Sequence, residues 1–336
     1  MKIAWKSVLL NTFLFCLGLV MVYLAFQGQD FTKIQKELSH IRYGYVVLSM
    51  CFVFLSHFLR ALRWNQLIEP LGYKPKVWNA FQAVMIGYLA NLAIPRIGEI
   101  TRCGILTRAT GAPVEELFGT VITERIWDLI SLLVLTFLAL AFQYSILSNF
   151  FYHSILLPLL SKSPSPWVWA ILFLILMGAF FLFRFLQKRW MEKNGSNPLV
   201  KLVLKFWTGI VQGLKSFTEI KHKLLFLVYT IGIWGGYTIG TFILFFSVPA
   251  TQFLSISSSL FVVSVGAFGM VAPVQGGIGA YHWMVSHALL LYSISLGSGL
   301  VYATVNHLSG VVLIILVGTL SLFSFIIMHP KPKPNQ

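Results

Sequence analysis

Long apolar runs alternate with short polar segments along most of the chain. Six runs, residues 8–26, 43–62, 117–142, 167–186, 224–248 and 300–327, each predict a helix that crosses a membrane. About 20 apolar residues suffice at about 1.5 Å of rise per residue. Two more apolar stretches, 79–110 and 257–296, are interrupted by the same punctuation. In the first, Pro95 is followed by Gly98 and Ile100; in the second, Pro273 is followed by Gly276 and Ile278. Proline removes a backbone donor and blocks a continuous helix, so Pro95, Gly98 and Pro273 are predicted helix breaks. In a bilayer such breaks survive only where protein or a water-filled cavity satisfies the freed backbone. Paired breaks in corresponding halves point to a transporter-type site.

Charge turns this pattern into a topology. Segment 187–223 carries Lys188, Arg189, Lys193, Lys201, Lys205, Lys215, Lys221 and Lys223, which assigns it to the cytoplasm. With a cytoplasmic N-terminus, that side is reached only if the first broken stretch is a hairpin that enters and leaves by the same face. The second broken stretch reads as either one hairpin or two short crossings. Analogy with the first favours a hairpin, entered from outside. The expected fold is therefore all-α and polytopic: six membrane helices plus two opposed re-entrant hairpins, an inverted repeat. Residues 1–329 are expected to form a single membrane domain. Within it lie the first hairpin at 79–110, an amphipathic interfacial helix at 199–223 and the second hairpin at 257–296. The Pro-rich 330–336 is expected to be a disordered tail. The N-terminal apolar run is long and lacks a convincing cleavage site, so it is expected to stay as the first span.

Composition agrees. The chain is 57% hydrophobic and 10% charged, against about 25% charge in soluble domains. The net charge of +15 sits at span ends and in short loops, which fits anionic headgroups and a cytoplasmic leaflet rather than nucleic acid. The three cysteines show no metal or redox spacing. No Walker loop, dinucleotide fingerprint or nucleophile elbow occurs, and no cofactor or metal is implied.

Charges inside apolar segments are costly and need a partner or a cavity. The candidates are Arg60 and Arg63 at the end of the second span, then Arg96, Glu99 and Arg102 after the first break. Glu124, Arg125 and Asp128 follow in the third span. On a helix Glu124 and Asp128 share one face, about 16 Å deep for Glu124. Two carboxylates there require facing cations, and Arg96, Arg102, Arg60 and Arg63 are available. Either the group forms a polar cavity for a charged headgroup, or it is an ion-pair lock between hairpin and span. Arginine's planar fork suits phosphate, and helix starts beyond Pro95 and Pro273 would add free backbone donors. Gly276, Gly277 and Gly279 either let a headgroup approach the backbone or serve close helix packing. His282 and His287 are five apart and do not form a metal pair.

Four motifs resemble a known family. They are Arg60-x-x-Arg63-Trp64; Gly87-Tyr88-Leu89-Ala90-Asn91 followed by Pro95-Arg96-x-Gly98-Glu99-x-x-Arg102; Gly119-Thr120-Val121-x-x-Glu124-Arg125-x-x-Asp128; and Pro273-x-x-Gly276-Gly277-Ile278-Gly279. Their order and spacing are similar to the membrane region of lysylphosphatidylglycerol synthases, a flippase-like domain also found alone and beside glycosyltransferases. The resemblance implies movement of an aminoacylated or anionic phospholipid, or a lipid-linked headgroup, between leaflets. It also implies a bacterial inner membrane with both termini cytoplasmic. It adds Asn91, Arg125 and His282 to the expected substrate-binding residues. The soluble aminoacyltransferase domain of the bifunctional relatives is not expected here, and His282 stands where relatives often carry Glu. A separate soluble synthase or glycosyltransferase is the implied protein partner. The competing readings are an integral membrane transferase with Glu99 or Asp128 as general base, and a membrane partner of a neighbouring synthase.

Overall fold

A computed structural model describes residues 5–152, 177, 220–272 and 274–329. The chain divides into two compact units, residues 1–143 with 216–336, and residues 144–215. The predicted span at 167–186, most of the amphipathic segment 199–223, Pro273 and the tail 330–336 lie outside the described residues. In the second unit, α7 (Tyr144–Phe151) lies between the predicted spans at 117–142 and 167–186. Its Ile146, Leu147, Phe150 and Phe151 recur at helical spacing, a pattern too short to stand out in the sequence. Every element below belongs to the first unit.

The described residues contain helices and no strand. α1 (Trp5–Phe26) covers the first apolar run, and α2 (Phe31–Ser39) follows it. α3 (Tyr43–Ile68), α6 (Val114–Phe142), α8 (Lys223–Phe245) and α11 (Leu296–Met328) are long and apolar enough to cross a membrane. Each overlays a predicted span; α3, α6 and α11 run slightly past theirs, and α8 ends three residues short at Phe245. The first broken stretch forms α4 (Val77–Ala93) and α5 (Gly98–Thr110); the second forms α9 (Ile256–Val271) and α10 (Ala280–Leu290). The longest of these four has 17 residues, about 25 Å, short of the ~30 Å hydrocarbon core. This polytopic α-helical protein therefore carries two helical hairpins, each built of helices shorter than that layer.

Glycines set the close approaches. A Cβ on Gly87 of α4 would lie 2.8 Å from the Gly98 carbonyl oxygen, so α4 and α5 touch backbone to backbone. In the second hairpin a Cβ on Gly269 would lie 2.9 Å from Tyr281 Cα. α3 and α8 run antiparallel: Gly232 faces Leu59, Gly236 faces Phe52 and Ser56, and Gly240 faces Ser49 and Val53. Ser56 also donates to the Ile233 carbonyl at 3.1 Å.

The two hairpins open to opposite faces. Lys221, before α8, pairs with Glu69 just past α3 at 3.2 Å, and Arg108 of α5 bonds the His329 carbonyl beyond α11. The ends of α4–α5 thus share one face with exposed Lys74, Lys76, Arg108, Lys221 and Lys223. On the other face the Arg42 amide donates to Ser247, and Ser298 at the start of α11 donates to Glu37 of α2 at 2.7 Å. There α9 starts and α10 ends. Exchanging α3–α4–α5–α6 with α8–α9–α10–α11 preserves who packs against whom: α4 lies on α11, and α9 on α6. The fold is an inverted repeat.

Candidate functional site

Seven of the candidate charges converge where α3, α5 and α6 meet. Glu124 is fully buried. Its Oε1 accepts from Arg60 at 2.8 Å, and its Oε2 accepts from Arg102 at 2.9 Å. One turn on, Asp128 accepts from Arg60 and from Arg63, each at 2.5 Å, on separate oxygens. Arg125 reaches Asp128 at 3.3 Å and Glu99 at 3.6 Å. The spacing explains this placement. Arg60 and Arg63 are one helical turn apart on α3, opposite Glu124 and Asp128 one turn apart on α6, and Arg102 projects from α5.

Aromatic side chains wall the charges. The Arg102 guanidinium lies 4.6 Å from the Trp64 ring, and Arg63 lies 5.7 Å from Phe226. Trp64 is fully buried and its indole N–H donates to Thr120 at 2.9 Å. His57 stacks near Tyr88 and bonds the Tyr237 hydroxyl at 3.3 Å. Trp64 and Thr120 sit inside the motifs, but sequence gave them no role. Their signal was position: Trp64 follows Arg63, and Thr120 lies one turn before Glu124 on the same face.

The charges do not cancel. Arg60, Arg63, Arg102 and Arg125 oppose Glu99, Glu124 and Asp128, which leaves one positive charge in excess. The Nε donors of all four arginines, and Glu99 Oε2, are buried with no hydrogen-bond partner among the described residues. Beside them is a narrow crevice lined by Tyr88, Asn91, Gly98, Glu99, Arg102 and Arg125. The Arg125 and Glu99 side chains are 41% and 26% exposed, so they form the open end. Asn91 Oδ1 accepts the Gly98 N–H at 2.6 Å and so caps α5 from the neighbouring helix. Both oxygens of Asp128 are engaged by arginine, which leaves it poorly placed as a general base.

Arg96 does not join this cluster. It sits exposed in the α4–α5 break with φ of +65°, and makes no ion pair with a described residue. The left-handed backbone arises because Pro95 and the restart of α5 at Gly98 leave four residues, Ile94 to Ile97, to reverse the chain. For a residue with a side chain this costs about 1–2 kcal/mol.

Gly276, Gly277, Gly279 and His282 form a separate group at the tip of the second hairpin. All three glycines have positive φ. The space beside Gly277 is filled by Met270 and that beside Gly279 by Gly18, Met21 and Val22 of α1, so these two pack tightly. Gly276 is freer, with only Leu92 at 3.7 Å from a Cβ built there. α10 begins at Ala280, later than a helix start directly beyond Pro273. The two tips meet: Gln275 Nε2 donates to the Ala93 carbonyl at 3.5 Å.

A family profile described as the lysylphosphatidylglycerol synthase TM region matches residues 5–318. A UPF0104 membrane protein of Methanocaldococcus jannaschii is 30% identical over 155 residues, 45% of this chain and 44% of that protein. The match thus spans under half of that relative. A UPF0104 membrane protein of Pyrococcus horikoshii is 23% identical over 307 residues, 83% of this chain and 86% of that protein. No solved structure matches.

Proposed function

From the premise that the chain belongs to the lysylphosphatidylglycerol synthase TM-region family, we propose that it binds an anionic or aminoacylated lipid headgroup and moves it between leaflets. The observation that carries this reading is the uncompensated positive charge with unpartnered Nε donors beside the Arg102–Arg125 crevice. A phosphate supplies the missing negative charge and accepts from guanidinium groups. Arg125 and Asn91 would receive it at the mouth, and Arg102 deeper in. Glu99, whose Oε2 is free, would meet an ammonium on the same headgroup. Arg60 and Arg63 would hold Glu124 and Asp128 as the fixed floor. Arg96 and Gly276, at the meeting tips of the hairpins, would guide the phosphate across the midplane while acyl tails stay in lipid. The basic face that carries Lys74, Lys76, Lys221 and Lys223 would be cytoplasmic, with both termini.

The test is headgroup accessibility of a fluorescent phosphatidylglycerol in proteoliposomes. Losing one charge-assisted hydrogen bond costs about 1.5–3 kcal/mol, so Arg125→Ala should slow movement by about tenfold to a hundredfold. Arg96→Ala should slow it as well. If both variants keep the parent Tm and the parent rate, the assignment is wrong.

A further inference from the structure

The second hairpin tip contains a buried pair of histidines that the headgroup reading does not use. His282 of α10 and His307 of α11 have ring centroids 5.0 Å apart and are 7% and 8% exposed. Each ring holds the glycine loop by one nitrogen, and the partner atom dictates the tautomer. The Gly276 carbonyl can only accept, so His307 Nε2 carries a hydrogen and donates to it at 2.7 Å. The Gly279 amide can only donate, so His282 Nδ1 is bare and accepts from it at 3.3 Å. Hence His307 Nδ1 is a free base and His282 Nε2 bears the proton of a neutral ring.

The described helices packed around the pair carry no fixed charge beside it. α4, α9, α10 and α11 contain no Asp, Glu, Lys or Arg, and α1 contains only Lys6, close to its start. The facing tip of the first hairpin carries Arg96. The titratable side chain in ring contact with both histidines is Tyr281, whose ring lies 5.4 Å from His307. Asn306 donates to the Tyr281 hydroxyl at 2.8 Å, and His287 stacks on Trp283 one turn further along α10. The pair is therefore neutral at rest, and one added proton is its only charge.

The two rings respond to that proton differently. A proton added at His307 Nδ1 leaves the Nε2–H bond to Gly276 intact and strengthens it. A proton added at His282 Nδ1 removes the lone pair that accepts the Gly279 N–H, and frees the first turn of α10. We propose that His282 and His307 form a proton-binding site which couples the shape of the Gly276–Gly279 loop to protonation, and makes the driving ion of headgroup movement a proton. This rests on the transport reading above. The balance is simple: one proton enters from the aqueous phase, bonds to an imidazole nitrogen, and leaves by the same bond.

Two measurements separate this proposal from the reading it rests on. In the first, the full chain in nanodiscs, with ¹³C-imidazole label, is titrated by NMR in a His287→Gln background. Coupled sites share macroscopic titrations, so His282→Gln should move the His307 midpoint and the reverse. Unmoved midpoints overturn the proposal, whether or not the protein moves lipid. In the second, fluorescent phosphatidylglycerol movement is measured in proteoliposomes at varied pH. The rate should change by about tenfold per pH unit on the limb where the pair titrates. In His307→Gln, whose amide still donates to Gly276, that dependence should vanish. A variant that keeps the parental pH profile overturns the coupling while leaving the transport reading in place.

Discussion

Glu124 has the highest stakes of any single side chain here. It is wholly buried and holds Arg60 with one oxygen and Arg102 with the other. Buried ion pairs often add little net stability, because desolvation offsets attraction. Removing one partner is different, because it strands the other. Glu124→Gln leaves two arginines against a neutral amide and should destabilise the fold by about 3–5 kcal/mol. Thermal unfolding in detergent should show a clear fall in Tm, larger than for Arg125→Ala, whose side chain is 41% exposed. A Tm within experimental error of the parent would mean that the site holds its charges by other means. Much of this was legible beforehand. Arg60, Arg63, Glu124 and Asp128 announced themselves as costly charges at helical spacing. Arg96 looked equivalent but lies outside, because a break moves side chains off the helical register on which such spacing depends. His282 was marked as a binding residue, but its pairing with His307 was not, because both rings bond backbone atoms of a loop, which no residue pattern reports.

At the scale of elements, the helix breaks were visible in proline and glycine, but the closeness of α4 and α5 was not. Contact between Gly87 and Gly98 is set by the path of two backbones rather than by either residue alone. Gly87→Ala places a methyl 2.8 Å from the Gly98 carbonyl oxygen, and neither backbone can yield without opening the hairpin. Overpacking of this kind costs about 1–3 kcal/mol. Since Arg102 rides on α5, the substitution should also slow lipid movement; Gly104→Ala, with no atom within 4 Å, is the matched control. Equal Tm values for the two variants would contradict the close packing. α2 is the element that the apolar pattern passed over, being short and polar. Asp30 caps it, and the Thr32 hydroxyl and then its amide hold the Asp30 carboxyl below its usual range. A lowered carboxylate contributes above its unfolded pKa, and that contribution fades as pH falls through the folded one. Acidification should therefore lower the hydrogen-exchange protection factors of the Thr32 and Lys33 amides, and Asp30→Ala should show the lowered protection at neutral pH. Exchange that ignores both changes would remove the cap from the account.

At the scale of the whole molecule, the inverted repeat sets two matching fasteners. Gln82 on α4 donates to Ser324 near the end of α11 at 2.9 Å. Gln143, which caps α6, donates to Ser257 at the start of α9 at 3.2 Å. Exchange of the two halves carries one bond into the other, with glutamine and serine swapped between hairpin and span. One fastener lies toward the Lys74–Lys76 face, and the second toward the opposite face. Each ties the base of a hairpin to the closing span of the other half. With both made, the base of each hairpin is held to the closing span of the other half. Transport built on such a repeat requires the fasteners to part in turn. This can be tested by replacing Cys16, Cys51 and Cys103 and introducing Gln82→Cys with Ser324→Cys, or Gln143→Cys with Ser257→Cys. A short bifunctional thiol reagent then joins either pair. Either cross-link alone should stop headgroup movement, and reduction or cleavage of the linker should restore it. A thiol probe placed at Asn91→Cys should remain reactive from the unjoined face and be protected from the joined one. Lipid movement at the parental rate through a chain joined at both sites would show that the hairpins do not part at their bases, and that the headgroup takes another path.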